Sequence, residues 1–523
     1  MELDDMTVSL AKPVKKGILR LIFSRFFIIA LLLLLQVAVA VMVYLQFREK
    51  LPILLNMQWV FSFVMIIFLF NSSMDSSAKL TWMLVISILP LVGAAMLLWT
   101  QSNIGHRMET GMVEKQIAET RHLLTQPENV IREIEHDGSG TDDISKYLSL
   151  TGCFPVYDKT QVTFFPLGEK KFEAMLEELE KAEKYIFMEY FIVEEGYMWG
   201  RILEILIRKA KAGVEVRVMY DGMCEMSTLP AGYFKLLEAQ GIHAKAFSPI
   251  KPVISSHYNY RDHRKILVID GKVAFNGGVN LADEYINRID RFGHWKDTAV
   301  MLKGPAARSF ALMFLQMWNL RSQPDDYEKW LSLPADEYEE AHGYVMPYGD
   351  SPLDKYKAGE AVYMDILNRA TDYVHIMSPY LILDGELETA LCFAAQRGVD
   401  VKLILPGIPD KMVAYALAKT HYSELHKAGV KIYEYTPGFI HAKVFVSDDI
   451  KAVVGTINLD YRSLYHHFEC ATYLYKTDCI TDIEKDFQDT LAKCREVSAD
   501  SIKNEKLSYK LIGVLAKMIS PLM

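Results

Sequence analysis

The sequence predicts an α/β protein: two αβα sandwich half-domains related by pseudo-two-fold symmetry, preceded by N-terminal transmembrane helices. Three observations carry this expectation. Apolar runs crowd into the first hundred residues, helix and strand patterns alternate from about residue 160 onward, and one short motif appears twice together with its surroundings.

The apolar runs come first. Phe26–Tyr44 and Leu80–Trp99 each approach the ~20 residues needed to cross a bilayer core, and Leu51–Phe70 lies between them, interrupted by Asn56 and Gln58. The first run is too long for a cleaved signal peptide and more apolar segments follow it. Lys12, Lys15, Lys16, Arg20 and Arg25 ahead of it favour a cytoplasmic N-terminus. Three spans would leave the remainder outside and two would return it to the cytoplasm. Residues 1–100 are thus expected to form a membrane region of two to three transmembrane helices, in a multi-pass protein of the cell membrane.

Residues 101–160 are polar and helix-prone with a break at Gly138–Gly140, the pattern of a stalk or connector. A first half is expected over 161–340. Helix patterns at Lys170–Ala182, Arg201–Ala212 and Tyr233–Ala239 alternate there with strand patterns at Tyr185–Val193, Val214–Asp221 and Ile242–Phe247. The same order returns over 341–505, with helices at Ala361–Ala370, Glu386–Arg397 and Val413–His426 and strands at Tyr373–Ile382, Val399–Leu405 and Val430–Tyr435. Ala212–Met219 matches Arg397–Ile404 almost position for position, and so long a period means a duplicated domain rather than a solenoid. The tail, 506–523, is amphipathic; its apolar stripe of Leu511, Leu515, Met518 and Leu522 suits a docked helix or a membrane-surface helix equally.

The repeated motif is His263-x-Lys265-x4-Asp270, which recurs as His441-x-Lys443-x4-Asp448; Asn280 and Asn458 close the small-residue elements downstream. Strand alternation puts His263 and Lys265 on one face, and likewise His441 and Lys443. Asp270 has the other parity and sits at an Asp-Gly turn, so Asp270 and Asp448 belong to the expected catalytic set as supports, not as proton carriers. If the halves face each other, two imidazoles, two ammonium groups and two carboxamides converge. Such a pocket suits a phosphodiester: lysines offset its charge, one histidine attacks phosphorus, the other protonates the leaving alcohol, and Asn280 and Asn458 orient oxygens. No metal or cofactor is expected. The net charge of −9 argues against nucleic acid as partner. Six scattered cysteines imply neither a disulfide framework nor a metal site.

The paired motif resembles the phospholipase D superfamily. The stretches Asn259–Lys265, Asn276–Asn280, Met377–Tyr380 and Gly455–Ser463, with Lys79–Gly93 near the membrane region, resemble bacterial cardiolipin synthases. The resemblance implies phosphatidyl transfer between two phosphatidylglycerols, giving cardiolipin and glycerol through a covalent phosphohistidine. It implies His263 as nucleophile, His441 as acid and base, membrane phospholipids as partners, and Asp297 and Glu469 as the carboxylates that orient the histidine of the opposite half. Gly278 and Thr456 stand where many relatives have Ser, which leaves the first half without a hydroxyl at phosphate.

Other histidines read as bystanders. His243 and Lys245 copy the motif spacing, but Ile250 stands where Asp is required. His257 reads as a loop residue, and the adjacent His466 and His467 point to opposite faces of a strand, against a shared ligand role. A hydrolase of the same superfamily and a non-catalytic membrane scaffold are the rival expectations. The acceptor, water or a lipid hydroxyl, separates the first; indifference to loss of both motif histidines marks the second.

Overall fold

The computed structural model describes residues 8–11, 34, 38, 42, 51–72, 74–101, 104–249, 260–320 and 327–522. The chain divides into two compact units, one of 14–107 with 518–523 and the other of 1–13 with 108–517.

In the larger unit the two halves repeat one topology. The first sheet uses β1 (Gln161–Phe165), β2 (Tyr185–Tyr190), β3 (Glu215–Asp221), β4 (His243–Phe247), β6 (Lys265–Ile269), β7 (Val273–Gly277) and β9 (Ala299–Lys303), in the order β1-β9-β7-β6-β2-β3-β4. The second uses β10 (Tyr344–Asp350), β11 (Tyr373–Met377), β12 (Asp400–Pro406), β13 (Lys431–Tyr435), β15 (Val444–Ser447), β16 (Lys451–Gly455), β17 (His467–Tyr475) and β18 (Cys494–Glu496), in the order β10-β17-β16-β15-β11-β12-β13-β18. Strand for strand the orders coincide, with β18 added at one edge. In each sheet three strands run parallel through helical crossovers, and a motif strand returns antiparallel beside them. Helices need both faces of such strands covered; β2 is accordingly buried along its whole length.

Two short strands stitch the halves together. β5 (Arg261–Asp262), from the first half, pairs in parallel with the start of β17 in the second, and β8 (His294–Lys296) pairs in parallel with β14 (Gly438–Ile440). A shared core lies beneath, where the helix Ala307–Asn319 buries Phe310, Phe314 and Leu315. Residues 104–152 form no free stalk. Their helices Glu128–His136 and Thr141–Gly152 bury Val130, Ile134 and Leu148 in that same core, because each carries an apolar stripe too wide to leave in water. The tail helix Leu507–Lys517 lays Gly513 against the Ala416 carbonyl, so closely that a Cβ there would sit 2.4 Å from the oxygen. Its expected apolar residues Leu511 and Leu515 stay exposed on the other face.

The smaller unit holds the helices Leu51–Phe70, Ser76–Ile88 and Pro90–Gln101 around buried Leu69, Trp82, Ile86 and Leu97. The run Leu80–Trp99 is therefore not one span. It breaks at Leu89, whose backbone leaves the helical region, and Pro90 has no N–H to continue the ladder. A 13-residue helix reaches only ~20 Å against a ~30 Å hydrocarbon core. Among the described residues no helix is long and apolar enough to cross a membrane. The run Phe26–Tyr44 falls almost wholly outside the described residues.

Candidate functional site

Each motif histidine is built into the structure by the opposite half. The His263 amide donates to the Phe468 carbonyl at 2.9 Å, and its Nδ1 lies 2.9 Å from both carboxylate oxygens of Glu469, the next residue along β17. The His441 amide donates to the Lys296 carbonyl at 2.7 Å, and its Nδ1 lies 2.7 Å from Oδ2 of Asp297, the residue after Lys296. The short parallel pairings β5–β17 and β14–β8 set this register. A strand pair fixes the peptide, and the peptide fixes where the next carboxylate points.

The carboxylates are fully buried. Thr456 donates its hydroxyl to Oε2 of Glu469, while Asp297 accepts from the Thr298 amide at 2.8 Å. Gly278, the counterpart of Thr456, instead makes room, for a Cβ at that position would lie 2.1 Å from Oδ1 of Asp297. The first half thus lacks a hydroxyl because its carboxylate occupies that space. Gly277 and Gly455, one residue earlier, are required by close approach, since added Cβ atoms would fall within 2.5 Å of Ala299 and 2.3 Å of Ala471 respectively.

The lysines turn back onto their own motifs, Lys265 donating to the His263 carbonyl at 2.5 Å and Lys443 to that of His441. Lys443 Nζ is also 2.9 Å from His441 Nδ1. One ring nitrogen cannot both donate to Asp297 and accept from Lys443; the shorter contact to a buried carboxylate assigns the proton to Nδ1, which leaves Nε2 with a lone pair. Burial dominates the electrostatics. It lowers Lys265 to about 8 and Lys443 to about 7, against the pull of Glu469 and Asp297. It lowers His441 to about 4, helped by the Lys443 ammonium, and holds His263 well below its ordinary value. Glu469 moves the other way, raised well above the usual carboxylate range by burial despite the Lys265 charge. Charge on this pair is therefore costly. Phe191 packs edge-on against His263 at 4.9 Å between ring centres, and Tyr285 and Trp295 flank His441 at 5.4 and 5.5 Å.

Asp270 and Asp448, expected as supports of the motif, sit at the far ends of the motif strands, in left-handed turns with φ of 54° and 53°. Asp270 accepts from the amides of Glu183, Lys184 and Tyr185 at 2.7–2.8 Å, and Asp448 from those of Thr371, Asp372 and Tyr373 at 2.8–3.0 Å. Each ties the motif hairpin to the start of the neighbouring central strand. Asn280 is likewise occupied, its carboxamide accepting from the Ile192 amide at 3.0 Å and donating to the Tyr285 hydroxyl at 2.8 Å. Asn458 differs, for its Oδ1 is buried without a hydrogen-bond partner.

Sequence reasoning also missed residues. Lys171 is completely buried in the first turn of a helix, donates to the Val279 carbonyl at 3.2 Å, and is lowered to about 7 by burial, with the Asp297 charge opposing. Nothing in its sequence context marks it. His467 packs against His263, with ring centres 5.4 Å apart. Strand alternation separates it from His466, but its neighbour comes from the other half. Ligand atoms of His263, His467 and Glu469 lie within 4.8 Å of one another, as do those of Glu360, Asp384 and Glu386. His257 lies outside the described residues. His243 lies on the edge strand β4, with its side chain 64% exposed.

Residues 175–318 and 363–491, together more than half of the chain, match the family described as the cardiolipin synthase PLD-like domain. An uncharacterized protein from Streptococcus mutans is 57% identical over 88% of this chain and 99% of its own length. A cardiolipin synthase from Alkalihalophilus pseudofirmus is 32% identical over 87% of this chain and 91% of its own, and a cardiolipin synthase 2 from Bacillus anthracis is 32% identical over 87% and 88%. Among solved structures, a phosphatidylserine synthase from Haemophilus influenzae superimposes with a TM-score of 0.53 at 13% identity, covering 69% of this chain and 93% of that one, a likeness of fold. The chain belongs to the phospholipase D-like cardiolipin synthase family and is a phosphatidyltransferase.

Proposed function

We propose that this enzyme joins two phosphatidylglycerol molecules into cardiolipin, releasing glycerol, through a phosphatidyl group carried on His263. One observation carries the reading: each of two facing imidazoles has its Nδ1 held by a buried carboxylate of the other half, so each can present Nε2 to a shared pocket. His263 forms the bond to phosphorus while His441, in its cationic form, gives the Nε2 proton to the departing glycerol oxygen; the anionic phosphate and Asp297 favour that form against the burial that otherwise keeps the ring neutral. The hydroxyl of a second phosphatidylglycerol then attacks the phosphohistidine, losing its proton to His441. Lys265 and Lys443 balance the charge on the non-bridging oxygens, and the Nδ2 of Asn458 is the group that donates to one of them. The apolar side chains exposed on the smaller unit, Trp59, Phe63, Phe70 and Leu91 among them, support a seat in the bacterial cell membrane, where the substrate resides.

The test is to incubate detergent-purified protein with phosphatidylglycerol alone, in chelator, and resolve the lipids by mass. Cardiolipin with an equimolar yield of glycerol is the expected result. Phosphatidic acid as the sole product would make the enzyme a hydrolase.

A further inference from the structure

His467 plays no part in the reaction just described, yet it is only 8% exposed and neither ring nitrogen has a hydrogen-bond partner. Buried imidazoles normally satisfy at least one nitrogen, so this orphaned pair calls for a ligand. The surroundings narrow the choice. His467 Nδ1 is 3.6 Å from Oε1 of Glu469, and His263 Nδ1 is 2.9 Å from the same oxygen. A tetrahedral zinc ion with bonds of ~2.0–2.1 Å holds its ligand atoms about 3.3 Å apart, between those two spacings. Two borderline imidazoles with one harder carboxylate are a donor set that zinc takes. Thr456 occupies Oε2 and leaves Oε1 for the metal.

We propose that His263, His467 and Glu469 form a Zn²⁺ site whose occupation switches off the nucleophile; the switching, unlike the binding, rests on the function proposed above. A neutral imidazole has one N–H and one lone pair. Without metal, Nδ1 carries the proton toward Glu469 and Nε2 keeps the lone pair that forms the bond to phosphorus. Zinc takes the Nδ1 lone pair, and the ring's one proton moves to Nε2. No proton is gained or lost, but the electron pair needed for attack is gone. Removing the metal reverses the shift. The charges of Lys265 and Lys443 lie close enough to depress His263, and they oppose a dication there, which keeps binding reversible rather than permanent.

The full-length protein, stripped with chelator and equilibrated in Zn²⁺ buffered by nitrilotriacetate, decides the matter by metal content and by glycerol release at each occupancy. Wild type and His441→Gln should each hold one zinc per chain. His467→Gln should bind at least about tenfold more weakly, and His467→Cys, which restores a zinc ligand, should recover most of the affinity; this also guards against a His467→Gln protein that misfolds. Wild-type rate, read against its own metal-free value, should fall in proportion to occupancy. Absence of retained zinc, or equal affinity in wild type and His467→Gln, would overturn the site, and full occupancy at an undiminished rate would overturn the switch. Metal content is read without turnover, so a protein that makes no cardiolipin refutes the earlier reading while the metal data still decide this one.

Discussion

Glu469→Gln isolates the charge beneath the nucleophile with almost no change of shape. In the proposed reaction His263 bonds to phosphorus through Nε2, the ring becomes cationic, and the carboxylate 2.9 Å from Nδ1 is the group placed to balance it. At an effective dielectric of about 20, a unit charge pair at that distance is worth about 6 kcal/mol. A glutamine oxygen still accepts from Nδ1–H and recovers about 1 kcal/mol. The remaining ~4–5 kcal/mol corresponds to a loss of about 10³–10⁴ in rate. The assay is initial glycerol release from phosphatidylglycerol in mixed micelles, with kcat and KM separated, and intact-mass measurement of the phosphatidyl adduct. The deficit should fall on kcat, with KM changed by less than about threefold because the interaction appears only in the transition state, and the adduct should vanish. A loss below tenfold, or one carried by KM, would refute the charge argument.

Three further expectations follow from the same geometry. His441→Ala should let the adduct form on His263 only slowly, for want of the acid that protonates glycerol, and then persist, since the group that activates the second alcohol is gone; an adduct found on His441 in the complementary His263→Ala protein would reverse the two roles. Asp270→Ala should lower stability by about 2–4 kcal/mol by orphaning three backbone amides, seen as a lower melting temperature, while kcat per folded molecule stays within twofold of wild type; a large kcat defect would return Asp270 to the chemistry. With pH, His263 must be neutral to attack, and burial keeps it so well below its ordinary range, so the acid limb of kcat/KM should lie below the usual imidazole range. The alkaline limb should begin between about 7 and 8, where Lys443 and then Lys265 lose the protons that bind phosphate. A bound anion raises both lysines, so the limb for kcat should sit at higher pH than that for kcat/KM; coincident limbs would remove the lysines from phosphate binding.

How legible all this was depends on the range of the forces involved. The alternation of helix and strand through Gly168–Phe247 and Ala358–Tyr435 follows local periodicity, and observed elements fall within a few residues of their expected places. The main overruns are local too: the strand expected to reach Ile382 stops at Met377 because Ser378-Pro379 interrupts it. Parity alone set Asp270 apart from His263. What sequence could not show depends mostly on partners far along the chain. His467 is anomalous only beside His263, Lys171 only near Asp297, and Asn280 was assigned to phosphate because nothing local reveals that the distant Ile192 amide already holds its oxygen. The run Leu80–Trp99 failed for a different reason, since hydropathy summed over a window is blind to a proline that ends the helix.

The duplication is symmetric in its backbone and unequal in its chemistry. In both halves a two- or three-residue strand pairs with the opposite half, the motif histidine donates its amide to that partner strand, and the following carboxylate receives the ring. Rotation of one half against the other would break a peptide hydrogen bond and an imidazole–carboxylate contact at both histidines together, so domain docking and catalytic alignment are one equilibrium. A misplacement of about 1 Å costs on the order of 10²-fold in rate, which gives selection a reason to keep both stitches. Within that frame the two carboxylates are held differently. Glu469, one methylene longer, is braced by the Thr456 hydroxyl; Asp297 fills the space that Gly278 vacates and leans on a backbone amide. Under the proposed roles, a group that must sit still beneath a developing cation is served by an extra donor, and a group beneath an imidazole that only trades protons needs less. The difference between Thr456 and Gly278, at equivalent positions in two copies of one fold, is thus where a symmetric scaffold takes on two separate jobs.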